Sequence, residues 1–229
     1  MLIGHGLLAE AFSKYKNNRE VIIFASGVSN SREEKQKEFD REKQLLQKTI
    51  LENRLKYFIY FSTCSIEDPS QKDSFYVQHK INMEEIVKTL CLDYNIFRLP
   101  QVVGIGKSPT IINFFVDSIL ENNFFKVYGR ATRNLISVED VYNIADNFIV
   151  NKMATNKIIN IATPFNTPVH KIVLILEKLL NKRAKYEVLD LGVEQTIDIS
   201  YIVSSLKIKF DENYVEDILK KYLIKRGLM

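Results

Sequence analysis

Three short apolar runs separated by helical stretches constrain the fold of this 229-residue chain more than any other feature. The runs are VIIFAS (21–26), KYFIYFST (56–63) and NIFRLP (95–100), and their β-branched and aromatic residues predict buried strands. The stretches between them, 31–55 and 75–94, have the residue spacing of helices, and the charged first half of 31–55 is expected to be solvated. Strands that alternate with helices are typical of a parallel sheet covered on both faces. The sequence therefore predicts an α/β fold.

The second half of the chain continues this alternation. After Pro109, TIINFFVDSILEN (110–122) is predicted to be a helix, FKVYG (125–129) a strand, and 133–151 a strand that runs into a helix. IINIA, HKIVLILEKLLN, AKYEVLDL and VEDILKKYL then alternate strand and helix. Hydrophobic residues make up 46% of the chain, which is enough for one α/β domain or one domain with a small lobe.

Charge and cysteine content argue against several classes of protein. The net charge of +4 comes from scattered Lys and Arg, which argues against nucleic acid as a partner. No apolar run approaches the roughly 20 residues of a membrane span, and MLIGHG lacks the features of a signal peptide. Cys64 and Cys91 lack Cys-x-x-Cys spacing, which predicts a reducing, cytoplasmic location and no structural metal. The scattered His5, His79 and His170 predict no metal site either, and His79 is expected to be exposed.

Gly4, Gly6 and Ala9 form the pattern G-x-G-x-x-A between the short strand MLI and a predicted helix. In a dinucleotide site, the first glycine permits a tight turn and the second lets the pyrophosphate approach the backbone. The small third residue lets the helix pack on the strand. An ordinary glycine turn before a helix explains the pattern equally well. No acidic residue ends a second strand about 20 residues on, where it would contact a ribose, so NAD and NADP remain open.

A hydroxyl, a phenol and an amine occur at spacings that suit proton transfer. Thr63 ends the strand KYFIYFST, and Tyr76 and Lys80 lie four residues apart, on one face of the predicted helix. A nearby ammonium favours the phenolate, so Lys80 is expected to lower the Tyr76 pKa from about 10 toward neutrality. Tyr76 would then exchange a proton with a carbonyl or alcohol that Thr63 holds. The alternative is an amphipathic helix whose lysine extends to solvent.

Five segments in order give the chain a resemblance to a known family. GHGLLA, FSTCSI, YVQHK, RLPQVVG and RNLISVEDV resemble the extended short-chain dehydrogenase/reductases, the NAD-dependent epimerase/dehydratase group that acts on nucleotide sugars. The resemblance covers most of the chain and implies a Rossmann-like, doubly wound parallel sheet. It implies a dinucleotide-binding core at 1–105. Residues 106–229 would supply the rest of the core (about 134–165) and an interleaved C-terminal α/β substrate lobe.

The resemblance also implies roles for individual residues. Thr63, Tyr76 and Lys80 would be catalytic, and Lys80 would also bind the nicotinamide ribose. The implied cofactor contacts are Gly4, His5, Gly6, Leu7, Leu8, Ala25, Ser26, Gly27, Phe61, Ser62, Lys80, Pro100, Gln101 and Val102. The implied substrate contacts are Cys64, Asn113 and Arg133, of which Arg133 would bind a diphosphate. Arg133 is otherwise a surface residue before a strand, and Cys64 is expected to be a small core residue rather than a nucleophile.

The chain departs from the family in two places. Only SKYKNNRE (13–20) precedes VIIFAS, where the family has two further strands. The sheet should therefore lack the usual second and third strands and the edge that holds adenosine. Sugar 4,6-dehydratases have an Asp-Glu pair after the catalytic Thr, whereas this chain has Cys64 and Ser65. Dehydration is therefore not expected.

The resemblance implies an NAD- or NADP-dependent oxidoreductase on a nucleotide-activated sugar, either a 4-keto reductase or an epimerase, in the synthesis of surface polysaccharide sugars. Hydride would pass between nicotinamide and a sugar carbon while Tyr76 transfers the proton. One alternative is a dinucleotide-binding sensor without turnover, and another is a subunit whose cofactor site a partner completes. Family members commonly pair through two long helices, so 33–53 and 76–94 are expected to form a homodimer contact.

Overall fold

The computed structural model describes residues 1–106 and 110–229. The strands are β1 (Leu2–Ile3), β2 (Val21–Phe24), β3 (Tyr57–Thr63), β4 (Tyr94–Leu99), β5 (Gln101–Val103), β6 (Phe124–Tyr128), β7 (Thr132–Ser137), β8 (Lys157–Asn160), β9 (Asn166–Pro168) and β10 (Lys185–Leu189). The helices are α1 (Leu7–Ala11), α2 (Gln36–Glu52), α3 (Phe75–Leu90), α4 (Ile111–Leu120), α5 (Val138–Val150), α6 (Val169–Leu180), α7 (Ser200–Leu206) and α8 (Tyr214–Lys225).

A five-stranded parallel sheet in the order β1-β2-β3-β4-β8 forms the centre of the fold. The predicted strands VIIFAS, KYFIYFST and NIFRLP are confirmed as β2, β3 and β4. β1 lies at one edge of this sheet, and in the part of the chain that the structure describes no strand lies beyond it. This confirms the prediction that the usual second and third strands are missing.

Alternate residues of the central strand β3 face opposite sides of the sheet. Ile59 and Phe61 lie in one core cluster with Phe148 of α5, whereas Phe58 and Tyr60 lie in another that includes residues of α2 and α3. Full burial of one such side chain contributes about 1.5–3 kcal/mol. Both faces of the sheet are therefore covered by helices, as in a doubly wound fold.

The second half of the chain builds a smaller α/β lobe. β6 pairs in parallel with β10, and β7 pairs with β5 in parallel and with β9 in antiparallel orientation. Helices α4, α6 and α8 bury their apolar faces in one cluster around Val116, Val173 and Leu219. α5 and β8 instead pack on or in the main sheet, so the two halves interleave. The division at residue 105 stays a prediction.

The helix ends depend on local capping. α2 and α3 are shorter than the stretches that the sequence predicts, and α3 begins after Ser74, whose hydroxyl accepts a hydrogen bond from Val77 N at 3.4 Å. Thr110 caps α4 in the same way, and Pro109 lies outside the described residues. None of the helices in the described ranges combines the length and the hydropathy that a membrane span requires.

Candidate active site

Thr63 and Tyr76 meet at the carboxyl end of β3. Thr63 is the last residue of β3, and the chain returns so that Tyr76 lies in the first turn of α3. Thr63 Oγ1 accepts a hydrogen bond from Ser65 N at 3.1 Å, and its hydroxyl is near enough to the Tyr76 phenol to lower the pKa of that phenol. Both residues are buried. The carboxyl edge of a parallel sheet is where such folds bind ligands.

Lys80 lies one helical turn after Tyr76, and its ammonium is 5.9 Å from the centroid of the Tyr76 ring. Its hydrogen bonds go to Glu42 Oε1 at 2.9 Å and to the Tyr60 hydroxyl at 3.1 Å. Only 2% of Lys80 is exposed. The structure therefore places Lys80 beside the phenol ring and directs its ammonium to a buried carboxylate.

Burial controls the proton affinity of the Tyr76 phenol. It raises the Tyr76 pKa above the ordinary value of 10.0, and the charge of Lys80 and the nearby Thr63 hydroxyl lower the pKa by less. The charge of Glu42 raises it further. The prediction that Lys80 would bring this pKa toward neutrality is therefore wrong, because Tyr76 is buried and Glu42 offsets the ammonium. Tyr76 is a protonated phenol at neutral pH.

Glu42 of α2 is a fully buried carboxylate that the sequence did not identify as functional. Its Oε1 accepts hydrogen bonds from Tyr60 at 2.6 Å and Lys80 at 2.9 Å. Its Oε2 accepts one from Val28 N at 2.6 Å and lies 2.9 Å from His79 Nε2. Burial alone would raise the Glu42 pKa, but the charge of Lys80 and these hydrogen bonds hold it well below its ordinary value.

Two expectations about this network are wrong. The first half of α2 is not wholly solvated, since Phe39 and Glu42 are buried, and His79 is buried rather than exposed. The His79 ring packs on the ring of Phe39, with the centroids 4.8 Å apart. The spacing of Phe39, Glu42 and Leu46 by three and four residues places all three on one helix face. This spacing is the signal that could have identified Glu42 as buried.

The two glycines of the glycine turn have different surroundings. Gly4 has a φ of +123°, and a Cβ there would lie 2.3 Å from the carbonyl oxygen of Ala25. A Cβ on Gly6 would meet nothing within 4 Å. His5, between them, is exposed. Gly4 therefore serves the tight turn beside β2, whereas the backbone of Gly6 borders open space.

The segment after β2 touches the Glu42 network. Ser26 follows β2, and its carbonyl and hydroxyl oxygens accept hydrogen bonds from the Arg41 guanidinium at 3.3 and 3.4 Å. A Cβ on Gly27 would lie 2.7 Å from Lys80 Nζ and 3.0 Å from Glu42 Oε1. The absence of a side chain at Gly27 thus lets Lys80 and Glu42 reach the end of β2.

Five further predicted contacts lie in the core or at its margin. Leu7 and Leu8 begin α1, and Leu8 and Phe61 pack in or against the main core. Ser62 carries a buried hydroxyl with no hydrogen-bond partner among the described residues. Cys64 is only 1% exposed and burial raises the pKa of its thiol, which confirms a small core residue rather than a nucleophile. The predicted contact of Cys64 with a substrate stays a prediction.

The remaining predicted residues lie on the second half of the fold. Pro100 separates β4 from β5, and Gln101 and Val102 lie in β5, which pairs with β7. Asn113 of α4 lies in the smaller lobe, where its side-chain oxygen accepts a hydrogen bond from the Tyr222 hydroxyl. The structure does not itself test their predicted contacts with cofactor or substrate.

Arg133 of β7 is half-buried, and its guanidinium donates a hydrogen bond to the carbonyl of Thr132 at 2.7 Å. It forms no salt bridge with any residue in 1–106 or 110–229. Burial lowers its pKa; Asp68 opposes this shift and the charge of Arg32 adds to it.

Two surface pockets lie apart from the Thr63–Tyr76 pair. One of about 430 Å³ is lined by Leu7, Gly104 and Tyr142, and another of about 470 Å³ lies between α5 and α8. Neither is lined by Thr63 or Tyr76, so the candidate site is defined by its chemistry rather than by cavity volume. The described residues contain no cluster of three or more His, Cys, Asp or Glu that could hold a metal ion.

No family model matches the sequence, and no curated protein matches it. Solved structures do match it. The Bordetella bronchiseptica enzyme WbmH, solved with NAD+, matches with a TM-score of 0.73 and 16% identity over 96% of this chain and 81% of its own. A UDP-N-acetylglucosamine 4-epimerase from Methanobrevibacter ruminantium, solved with UDP-N-acetylmuramic acid, matches with a TM-score of 0.71 and 20% identity over 98% and 83%.

A dTDP-4-dehydrorhamnose reductase ortholog from Clostridium acetobutylicum also matches, with a TM-score of 0.71 and 14% identity over 96% of this chain and 86% of its own. At these identities the likeness is one of fold. The strand order, the glycine turn and these matches together show that the chain has the Rossmann-like fold of the extended short-chain dehydrogenase/reductases, in a form shortened at the β1 edge.

Proposed function

We propose that this chain is an NAD- or NADP-dependent enzyme that acts on a nucleotide-activated sugar, as a 4-keto reductase or an epimerase. The proximity of Thr63 and Tyr76 at the carboxyl end of β3, with Lys80 beside the phenol ring, carries the proposal. The general kind of function is supported by structures of the same fold that are named as nucleotide-sugar epimerases and a reductase.

The residues at the carboxyl edge of the sheet fit a dinucleotide. Gly6 borders open space, and Ser62 at the end of β3 carries a buried hydroxyl with no described partner. Structures of similar fold were solved with NAD. We infer that the glycine turn binds the pyrophosphate and that the end of β3 faces the nicotinamide half. NAD or NADP, when bound, supplies or accepts the hydride.

Tyr76 moves the proton in this proposal. Its phenol donates a proton to the sugar oxygen, which the hydroxyl of Thr63 holds in place. Because burial keeps Tyr76 protonated at neutral pH, the phenol suits proton donation better than proton abstraction. An epimerase needs both directions within one turnover, whereas a 4-keto reductase needs only donation. The proposal covers both reactions.

Arg133 is proposed to bind the diphosphate of the substrate. A half-buried guanidinium without a described carboxylate partner can form a paired contact with phosphate oxygens. Burial lowers the Arg133 pKa, and a bound anion would oppose that shift.

A dinucleotide-binding module without turnover is the second candidate. Two observations favour it: the sheet ends at β1, and the ammonium of Lys80 is hydrogen-bonded to Glu42. The same observations are compatible with a subunit whose cofactor site a partner completes.

Substitution of the phenol separates the two candidates. We expect Tyr76→Phe to lower turnover by about 100- to 10,000-fold, since it removes the proton donor. NADH affinity should change by less than about threefold, since the ring remains. The substrate is first found by thermal-shift screening with NAD, NADP and UDP-, dTDP-, GDP- and CDP-sugars. Turnover is then followed by NADH absorbance for reduction and by chromatography of the sugar nucleotides for epimerisation.

Tyr57→Phe is the matched control for this experiment. Tyr57 is a buried tyrosine at the opposite end of β3, and its hydroxyl is hydrogen-bonded to Asn95. We expect Tyr57→Phe to retain turnover. Full turnover by Tyr76→Phe would contradict the enzymatic proposal. NADH binding without turnover of any sugar in the panel would favour the binding module.

The assembly and the setting of the enzyme stay predictions. α2 and α3, the expected homodimer helices, expose mainly polar side chains, among them Lys37, Lys43, Gln78 and Glu85. A dimer through these helices would therefore depend on polar contacts. The cytoplasmic location and the role in surface polysaccharide synthesis rest on the sequence alone.

A further inference from the structure

An ammonium group that is almost fully buried needs an anion close to it. Lys80 is 2% exposed, and its Nζ lies 2.9 Å from Oε1 of the fully buried Glu42. Removal of one partner of a buried ion pair leaves the other charge without compensation. Glu42 is therefore the group that allows Lys80 to remain charged beside the Tyr76 ring.

Glu42 is itself fixed from several sides. Tyr60 of β3 donates to Oε1, and Val28 N donates to Oε2, which also lies 2.9 Å from His79 Nε2. The carboxylate thus ties α2 to β3, to α3 and to the segment after β2. A carboxylate held by three elements can set the position of the lysine that it binds.

Gly27 shows which edge of the sheet the Lys80–Glu42 pair faces. A Cβ there would lie 2.7 Å from Lys80 Nζ and 3.0 Å from Glu42 Oε1. Gly27 follows β2, at the same edge of the sheet as the glycine turn and the end of β3. The ammonium is therefore held at the edge where the proposed cofactor binds.

We propose that Glu42 is a positioning residue that fixes the charged ammonium of Lys80 at the end of β2, beside Tyr76. The meaning of this contact for catalysis rests on the proposed function, whereas the contact itself does not. The titratable groups that face the pair are Tyr60 from β3 and Tyr76 and His79 from α3.

Chemical labelling of Lys80 tests the proposal without substrate or cofactor. Acetic anhydride acylates only a neutral, accessible amine, and peptide mass spectrometry measures the rate at each lysine. In the folded wild type we expect Lys80 to react more slowly than the exposed lysines. In Glu42→Gln we expect the rate at Lys80 to rise about tenfold or more near neutral pH, because the loss of its buried partner releases the side chain.

Glu84→Gln is the matched control. Glu84 of α3 is also buried, and it pairs with Arg98 at 2.7 and 2.9 Å instead of with Lys80. Glu84→Gln should lower the stability of the fold, but the acetylation of Lys80 should remain slow at every pH. If Lys80 in folded Glu42→Gln reacts with the wild-type rate and pH profile, the proposal is overturned. If the two variants accelerate Lys80 equally, the effect is general loosening and the proposal is also overturned.

A double substitution keeps the proposal testable if Glu42→Gln does not fold. Glu42→Gln with Lys80→Met removes both charges, so the double variant should fold and unfold at a higher urea concentration than either single variant. A double variant no more stable than the weaker single variant would overturn the proposal. Because these measurements use neither sugar nor NADH, they can fail while the Tyr76→Phe experiment succeeds, and the reverse.

Discussion

Gly27 and Gly6 offer a matched pair of substitutions, since neither has a φ in the left-handed region but their surroundings differ. Gly27→Ala places a methyl group 2.7 Å from Lys80 Nζ, so the Lys80–Glu42 pair must move, at an expected cost of about 1–3 kcal/mol. Gly6→Ala meets nothing within 4 Å and should change the free energy of unfolding by less than about 1 kcal/mol. Urea unfolding measures both. Equal stability of the two variants would contradict the position of Lys80 against Gly27.

Glu42 gives the fold a defined dependence on acid. Its pKa in the folded protein lies well below the ordinary value of 4.5, so the unfolded chain binds the proton more readily. The stability from this carboxylate is therefore fully present above about pH 4.5 and is lost as pH falls further. We expect the free energy of unfolding to fall less steeply in Glu42→Gln than in wild type between about pH 5 and pH 3.

The control for the acid experiment is Glu38→Gln, at an exposed position of the same helix where Glu38 pairs with Arg41 at 3.2 Å. Its acid dependence should follow that of the wild type, since exposed ion pairs contribute little. A Glu42→Gln profile identical to wild type would show that the Glu42–Lys80 pair does not contribute to acid stability.

The candidate site was predictable where it depends on neighbouring residues and not where it depends on the packing of separate elements. Thr63 follows from the end of an apolar run, and Tyr76 and Lys80 from a helical spacing of four. Glu42 lies 38 residues before Lys80, and their contact requires α2 to pack on α3. The predicted direction of the Tyr76 pKa shift is wrong for the same reason, since the shift depends on burial.

Among the larger elements, the central strands β2, β3 and β4 were predictable because their residues are largely buried on both faces and form apolar runs. β9, which is Asn166–Pro168, was missed because three polar or turn-forming residues carry no strand signal. It is a strand only because β7 pairs with it, from Thr132 with Pro168 to Asn134 with Asn166. Short strands of this kind are defined by a distant partner rather than by their own composition.

The half-buried Tyr214 adds a polar contact between α8 and α5. The Tyr214 hydroxyl donates to Asp140 Oδ2 at 2.5 Å and accepts from Ser137 N at 3.0 Å, which joins α8 to the start of α5. Tyr214→Phe removes this hydroxyl from both Asp140 and Ser137. We expect the free energy of unfolding to fall by about 1–3 kcal/mol. The control is Tyr201→Phe, since the half-exposed Tyr201 stacks on Phe148 through its ring, which Phe retains. Equal melting temperatures for the two variants would contradict this role of Tyr214.

At the scale of the whole molecule, the chain combines a smaller α/β lobe with a shortened main sheet. Its match to solved structures extends over 96% or more of its length, so it retains the overall arrangement of that fold. The difference lies between Ala11 and Val21, where a 3-10 turn at Ser13–Tyr15 replaces further strands. The shortened region lies beside β1, next to the glycine turn, and not beside Thr63 and Tyr76.

This asymmetry predicts how the proposed cofactor divides its binding energy. The nicotinamide half would lie near the intact end of β3, whereas β1 is the edge of the sheet and offers no further strand to the adenosine half.

We expect reduced nicotinamide mononucleotide to bind within about tenfold of the NADH affinity, a difference of about 1.4 kcal/mol. NADH and NADPH should bind within about threefold of each other, because no strand in residues 1–106 or 110–229 places an acidic residue at the ribose. Isothermal titration calorimetry measures these affinities. Adenosine diphosphate ribose is the fourth ligand in the series, and we expect it to bind most weakly. If NADH binds a hundredfold more tightly than its mononucleotide, the chain or a second copy of it contacts the adenosine half through surfaces other than β1.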